Sequence, residues 1–157
     1  MPYVPTPPPV VEAMLKLAAV KAGDVVYDLG CGDGRIVVTA VKDFKAKRGV
    51  GIDLDPQRVK ESVAHAKEAG VADKTEFREG DVLKLESVAD ADVVTLYLYP
   101  TVNRRLEPML RKTLKPGARV VSHDFRIGDW APDRMERVRD DRGHDHVLYL
   151  WTVKKEK

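Results

Sequence analysis

A chain of 157 residues is long enough for one domain with one core, and we expect no second domain. The hydrophobic content of 43% and the charged content of 33% are ordinary for a soluble globular protein, and no apolar run approaches the ~20 residues that a membrane span requires. A formal net charge of +2 is too small to indicate a nucleic-acid partner, so we expect neither nucleic acid nor membrane as a partner.

Two features predict a cytoplasmic protein. The lone cysteine, Cys31, excludes an intramolecular disulfide and is typical of a reducing compartment. Residues 1–5 have neither the basic nor the apolar stretch of a secretory signal. Basic clusters at 104–115 and 154–157 are interpreted as solvated faces, because most charge runs are.

The N-terminal segment is rich in proline. Residues 1–9 hold five prolines, which favour an extended arm with few internal hydrogen bonds. Apolar residues at helical spacing then predict a helix over 10–20. We therefore expect an arm over 1–9 and one domain over 10–157.

Strand and helix patterns alternate after this helix. Apolar runs rich in β-branched residues predict strands, and apolar residues three and four apart predict helices. The predicted strands span 24–29, 48–53, 74–79, 92–99 and 119–125, and the predicted helices span 33–44, 56–69 and about 102–114. The alternation predicts a doubly wound α/β sheet. Two last strands, 135–139 and 146–153, are joined by a turn around Gly143.

The first strand leads into a glycine-rich turn, Gly30-Cys31-Gly32-Asp33-Gly34, directly after Asp28 and Leu29. Glycines let the backbone bend sharply and approach a ligand closely, and the amides that open the next helix can face its polar groups. The spacing differs from the G-x-G-x-x-G of dinucleotide binders, and no G-K-S/T follows. Cys31 is interpreted as a small residue in a tight turn rather than a nucleophile, because no histidine is suitably spaced.

Acids also end the next two strands. Asp53 follows the second strand, about twenty residues after the glycines, where an acid can accept both ribose hydroxyls. Asp81 follows the third strand. With Asp28, these acids lie at the carboxyl ends of consecutive parallel strands, where open α/β sheets bind ligands.

These residues resemble motif I and the following acids of class I S-adenosylmethionine (SAM) methyltransferases. The resemblance implies a mostly parallel, Rossmann-like seven-stranded sheet whose C-terminal strand is antiparallel. It also implies that Asp28 faces the amino-acid end of the cofactor and that Asp81 accepts the adenine amine. The implied binding residues for SAM and its product S-adenosylhomocysteine are Asp28, Gly30, Cys31, Gly32, Asp53, Leu54, Asp81 and Val82.

A closer resemblance rests on three further segments. The arm 2–7, the segment 101–103 and the segment 119–125 are similar to a small family of protein-lysine methyltransferases with archaeal and mitochondrial members. The resemblance implies methylation of lysine ε-amines in protein substrates. It also implies that the arm folds over the methionine end of the cofactor, with Thr6 offering a hydroxyl and Tyr3 a lid.

The acceptor channel is expected beside the ends of the fourth and fifth strands. An apolar or aromatic channel disfavours a lysine ammonium, which must lose its proton before it attacks the methyl group. The candidate catalytic residues are Tyr97, Tyr99, Asn103 and His123. The two tyrosines would point to alternate faces of the strand, so one of them is equally compatible with simple packing. His123 is compatible with a structural histidine or a proton acceptor.

Several alternatives stay open. The fold also suits a small-molecule methyltransferase, a nucleic-acid methyltransferase or a SAM-binding regulator without activity. Amino-methylating nucleic-acid enzymes usually carry Asp/Asn-Pro-Pro-Tyr/Phe after the fourth strand, and this chain has Leu98-Tyr99-Pro100-Thr101 instead. His144, Asp145 and His146 lack a convincing third metal ligand, so no metal is predicted. A monomer is the favoured oligomeric state.

Overall fold

Seven strands form one mixed sheet in the computed structural model, which describes residues 5–154. The strands are β1 (Val25–Leu29), β2 (Arg48–Asp53), β3 (Thr75–Glu79), β4 (Val93–Leu96), β5 (Arg119–His123), β6 (Arg134–Arg139) and β7 (Asp145–Thr152). The helices are α1 (Pro8–Leu17), α2 (Arg35–Lys42), α3 (Pro56–Glu68) and α4 (Pro100–Thr113), with short 3₁₀ turns at Ala72–Lys74 and Val82–Lys84.

The strand order is β3-β2-β1-β4-β5-β7-β6. Strands β1 to β5 are parallel, and β7 runs antiparallel between β5 and β6. This arrangement confirms the predicted doubly wound sheet with an antiparallel C-terminal strand. The order reverses between β1 and β4, and open α/β sheets bind ligands in the crevice at such a reversal.

Two apolar layers cover the faces of the sheet. Helices α1, α2 and α3 pack on one face against strand residues such as Val26 and Val121. Helix α4 packs on the other face against Leu29, Leu96 and Trp151. Adjacent residues of one strand point to opposite faces, so strands buried on both sides are apolar throughout. Within residues 5–154, no helix is long and apolar enough to cross a membrane.

Three element ends differ from the sequence-based expectation, and each bears on the site. Strand β4 ends at Leu96 rather than at residue 99, because the chain leaves the sheet before Pro100 opens α4. Strand β5 ends at His123 because Asp124 adopts a left-handed conformation, with φ of 66°. Helix α1 begins at Pro8 and ends at Leu17, so residues 8 and 9 are helical rather than part of the arm. The remaining bounds shift by about one or two residues, as element ends commonly do.

Candidate cofactor and active site

A cleft of about 750 Å³ opens at the carboxyl ends of β1, β2 and β4. Its lining comes from the arm, the glycine turn, the segments after β2, β3 and β4, and the segment after β5. The predicted cofactor residues that line it are Thr6, Asp28, Gly30, Cys31, Gly32, Asp53, Leu54, Asp81 and Val82. The structure therefore brings together every described residue of the predicted cofactor set; Tyr3 lies outside the described residues.

The glycine turn is held against the end of β2. The amides of Gly30 and Cys31 donate to the Ile52 carbonyl, at 2.7 and 3.0 Å. Gly30 has a φ of 83°, and a Cβ there would lie 2.7 Å from the Cδ2 atom of Leu98. Only glycine fits both the backbone conformation and the space. The turn therefore presents bare backbone to the cleft.

Asp28 is the most buried acid of the cleft, with 2% of its surface exposed. Its Oδ1 accepts a hydrogen bond from the Thr95 hydroxyl at 2.8 Å. Burial, reinforced by the charges of Asp53 and Asp33, raises the pKa of the Asp28 carboxyl to about 7. A cation bound beside it would favour the ionised form. Asp28 thus suits the positively charged amine of an amino acid.

Asp53 and Asp81 each use a carboxylate oxygen to organise the local backbone. Asp53 accepts from the Gly32 amide at 2.8 Å and from the Asp55 amide at 2.9 Å. Asp81 accepts from the Leu83 amide at 2.9 Å and caps the 3₁₀ turn that follows. Each carboxylate oxygen has a second lone pair, so both acids can still accept from a ligand. Leu54 is 70% exposed at the cleft and offers an apolar surface to a flat ring.

Cys31 is buried, and its sulfur lies 3.8 Å from the Ser62 hydroxyl. Burial is the largest of the effects that raise the pKa of the Cys31 thiol, with the nearby Asp28 charge adding to it. The thiol therefore stays protonated at neutral pH, whereas a nucleophilic cysteine needs a depressed pKa. The structure supports the interpretation of Cys31 as a small residue in the turn.

The described end of the arm, residues 5–7, lies against the cleft. Thr6 is buried, and its hydroxyl lies 3.1 Å from Nδ1 of His123. The Arg35 guanidinium donates to the Thr6 carbonyl at 3.0 Å. Two polar contacts thus attach the arm to β5 and to the start of α2.

Aromatic side chains form the other wall of the cleft. Tyr97, Tyr99 and Phe125 all line it. Phe125 stacks on Tyr97 at a centroid distance of 6.3 Å and meets Tyr99 edge to face at 6.4 Å. We call these three residues the aromatic wall. It offers an apolar surface beside the glycine turn.

His123 and Asn103 are not among the described residues that line the cleft, and their place in an acceptor channel stays a prediction. His123 is fully buried, and its ring stacks on Tyr97 at a centroid distance of 3.9 Å. Asn103 is also fully buried, and its Nδ2 donates to the Arg126 carbonyl at 3.2 Å. Strand alternation and the helical position of Asn103 direct both side chains inward. Asn103 therefore joins α4 to the segment after β5.

Sequence reasoning missed a second set of polar residues behind the aromatic wall. His146 Nδ1 lies 2.7 Å from Nε2 of His123, and His146 Nε2 lies 2.7 Å from Oδ2 of Asp140. Asp140 is buried and also accepts from the backbone amides of residues 142 and 144. In the sequence, Asp140 looks like any other aspartate in a turn. Its hydrogen bond to His146 becomes visible only in the folded structure.

The polar set also answers the question of a metal site. His144 is 73% exposed on its side chain, and Asp145 pairs with Arg139, so these two residues do not converge with His146 on one site. His123, Asp124 and His146 do bring ligand atoms within 4.8 Å of one another. The two imidazole nitrogens lie 2.7 Å apart, whereas two nitrogens on a tetrahedral zinc ion lie about 3.3 Å apart. The geometry is that of a hydrogen-bonded histidine pair.

The sequence model of the family described as the ANTKMT methyltransferase domain matches residues 28–134 of this chain. The chain belongs to that family. The match begins at Asp28 and spans the glycine turn, the cofactor acids and the aromatic wall. The ANTKMT-family chain is a SAM-dependent methyltransferase, as the sequence predicts.

Individual relatives agree with the family. A protein-lysine N-methyltransferase of Saccharolobus islandicus (strain REY15A) is 44% identical over 98% of this chain and 94% of its own length. An adenine nucleotide translocase lysine N-methyltransferase of Mus musculus is 36% identical over 84% of this chain, which spans 56% of that relative. The chain thus spans little more than half of such longer relatives.

A solved structure covers almost the whole ANTKMT-family chain. It is described as an RNA methyltransferase from Salinibacter ruber in complex with S-adenosyl-L-homocysteine. It is 53% identical, with a TM-score of 0.89, and the match covers 98% of this chain and 96% of that one. This likeness confirms the class I methyltransferase fold and the expected cofactor.

Proposed function

We propose that this ANTKMT-family methyltransferase transfers the methyl group of SAM to lysine ε-amines of proteins. The observation that carries the proposal is the aromatic wall, formed by Tyr97, Tyr99 and Phe125, beside the glycine turn. A lysine side chain has an apolar stem and a charged tip, so an apolar wall binds the stem and disfavours the charge at the tip. The full-length relative from Saccharolobus islandicus, described as a protein-lysine N-methyltransferase, supports the same acceptor.

The residues of the cleft fit the cofactor from end to end. Asp28 provides a buried carboxylate for the cationic amine. Gly30 provides bare backbone at a position where a Cβ would collide with the Leu98 side chain. We assign Asp53 to the ribose hydroxyls and Asp81 to the adenine amine. Leu54 and Val82 then pack on the faces of the adenine ring.

The reaction needs little acid–base chemistry at the carbon centre. SAM supplies a methyl group on a positively charged sulfonium. The chain must align a neutral amine with that methyl group and exclude water, because methyl transfer is an in-line displacement. We assign Tyr97 and Tyr99 to orienting the amine, since both belong to the aromatic wall that lines the cleft.

RNA is the second candidate acceptor, because the Salinibacter ruber protein is described as an RNA methyltransferase. A base inside a duplex would have to be flipped into the cleft. The segment after β4, Leu98-Tyr99-Pro100-Thr101, differs from the Asp/Asn-Pro-Pro-Tyr/Phe that amino-methylating nucleic-acid enzymes usually carry. We therefore rank lysine first.

The test is a competition between acceptor classes. The protein is incubated with methyl-labelled SAM and, in parallel, with lysine-rich proteins, RNA and a small-molecule extract. Mass spectrometry then identifies the labelled atom. Label on lysine ε-nitrogens, lost when the acceptor lysines are acetylated in advance, supports the proposal. Label on nucleobases or metabolites with lysine untouched refutes it. The Asp53→Ala variant provides the control with impaired cofactor binding.

Two further properties belong to the proposal. We place the protein in the cytoplasm, which suits the single reduced thiol of Cys31. We also propose that it acts as a monomer, because one chain supplies both the cofactor acids and the aromatic wall. Light scattering at assay concentrations measures the mass in solution, and the mass of a dimer would contradict the proposed monomer.

A further inference from the structure

We propose that Thr6, His123, His146 and Asp140 form a proton relay that takes up the proton leaving the lysine ε-ammonium. The inference rests on the proposed lysine acceptor and adds the group that accepts its proton. It concerns a buried chain of hydrogen bonds that starts at the cleft and ends at the β6–β7 turn.

The chain is continuous. The Thr6 hydroxyl lies 3.1 Å from Nδ1 of His123, Nε2 of His123 lies 2.7 Å from Nδ1 of His146, and Nε2 of His146 lies 2.7 Å from Oδ2 of Asp140. Thr6 lines the cleft, so the chain of hydrogen bonds begins at a residue of the cleft wall. Each distance is that of a hydrogen bond.

The carboxylate at the end of the chain fixes the direction of every hydrogen bond. The hydrogen bond from His146 holds the pKa of Asp140 at about 2, so Asp140 is ionised and can only accept. Nε2 of His146 therefore donates, and its Nδ1 accepts from Nε2 of His123. Nδ1 of His123 is then free of hydrogen and accepts from the Thr6 hydroxyl. The chain thus directs basic lone pairs toward the cleft.

Carboxylates flank the two histidines. Burial lowers the pKa of His123 to about 4, so its ring is neutral before reaction. Asp124 Oδ2 lies 3.5 Å from His123 Nε2 and 3.9 Å from His146 Nδ1. The exposed His144 lies 3.9 Å from Asp140. A proton on His146 would therefore lie between two carboxylates. On the remaining sides, the Tyr97 ring covers His123, and the Arg35 guanidinium donates to the carbonyl of Thr6.

The proton balance is simple. One N–H bond of the lysine ammonium breaks and its proton passes to the Thr6 oxygen, while the Thr6 hydroxyl proton passes to Nδ1 of His123. The proton on Nε2 of His123 passes to Nδ1 of His146, which becomes an imidazolium held by Asp140. The neutral amine is then ready to take the methyl group. After product release the proton returns to solvent by the reverse path.

The decisive variant is Asp140→Asn, with Asp141→Asn as the matched control. The side-chain oxygen of the new asparagine still accepts from the backbone N–H groups of the turn. Its NH₂ group faces Nε2 of His146, which must then accept, so every hydrogen bond up to Thr6 reverses its direction. Asp141 is exposed and adjacent, and it undergoes the same change of charge. We expect Asp140→Asn to lower kcat/KM for a lysine peptide about 10²-fold near pH 7, within the range of general acid–base catalysis. The control and the SAM affinity of both variants stay unchanged.

The pH profile separates a relay from a merely structural role. Without the relay only the neutral fraction of lysine reacts, so kcat/KM of Asp140→Asn should rise about tenfold per pH unit toward the lysine pKa of about 10.4. The wild-type profile should be shallower, so the two converge at alkaline pH. A constant ratio at all pH values, or equal rates for the Asp140 and Asp141 variants, overturns the relay.

One further measurement does not depend on the acceptor. Nitrogen-15 NMR of the wild type should show hydrogen on Nε2 of both His123 and His146, and hydrogen on Nδ1 of either ring overturns the assignment. Thr6→Ser should retain activity that Thr6→Val loses. If a chelator abolished activity and zinc restored it, the histidines would form a metal site and the relay would be overturned. If the wild type methylates RNA but not lysine, the proposed function and the relay both fail. If the wild type methylates lysine but Asp140→Asn behaves like Asp141→Asn, only the relay fails and the proposed function stands.

Discussion

Replacing Asp28 with asparagine should change how stability depends on pH. The folded protein holds the pKa of this buried carboxyl at about 7, against an ordinary value of 3.8. The folded state therefore binds more protons than the unfolded state between these two values. Stability from this group is fully present below pH 3.8 and is lost as pH rises through about 7.

The magnitude follows from the same two values. A rise in pKa from 3.8 to about 7 corresponds to about 4 kcal/mol of unfolding free energy between acid and alkaline pH. For a domain of this size, that equals a shift in Tm of roughly 10 °C. This figure is an upper value, because any opening of the cleft hydrates the charge. Asp28→Asn keeps the oxygen that accepts from Thr95, so it removes the charge with little change in packing.

The assay is thermal unfolding of the cofactor-free protein from pH 5 to pH 8.5. The Tm of the wild type should fall relative to that of Asp28→Asn as pH rises, while the exposed control Asp43→Asn should follow the wild type. Calorimetry at pH 6 in buffers of different ionisation heat should show proton release when SAM binds to the wild type and none for Asp28→Asn. Parallel Tm curves for the wild type and Asp28→Asn would refute the burial argument.

Three other changes test the cleft. Gly30→Ala should lower stability by about 1–2 kcal/mol and weaken SAM binding, because φ is positive and the new Cβ meets Leu98; unchanged melting and binding would contradict the close approach. Asp53→Ala should weaken SAM binding about tenfold by calorimetry, through loss of charge-assisted hydrogen bonds, while the exposed control Asp73→Ala should not. Tyr97→Phe should change the methylation rate or the number of methyl groups added more than it changes the SAM affinity. An effect on SAM affinity alone would show that Tyr97 binds the cofactor rather than the acceptor.

The parallel part of the fold was predictable because its signals are local. Strand β2 was predicted with its observed bounds, since an apolar run ends at an acid and Pro56 opens the next helix. Asp28, Asp53 and Asp81 were predicted to converge because parallel strands place their carboxyl ends at one edge. The structure brings all three to the cleft.

The acceptor side was harder to predict because its contacts join distant residues. His123 has a partner at Thr6, 117 residues earlier in the chain, and another at His146 on the antiparallel neighbour of β5. Neither pairing follows from periodicity. Asn103 is expected in the channel from its place after β4, whereas the structure buries its side chain completely. Propensity places a residue on an element, but packing decides which neighbour its polar atoms meet.

The two sides of the cleft make opposite demands on positive charge, and the chain meets them with different chemistry. The cofactor arrives as a cation that must be held, and the side of β1 to β3 provides the acids Asp28, Asp53 and Asp81. The acceptor arrives as a cation that must become neutral, and the aromatic wall offers its ammonium no carboxylate. The carboxylates of the partly exposed Asp124 and the buried Asp140 lie behind that wall, where they can stabilise a proton on His146 but not the lysine itself. Thr6 joins the two sides, because one residue lines the cofactor cleft and contacts His123. In the proposed relay, the acceptor therefore loses its proton at the wall of the cofactor cleft, beside the methyl donor.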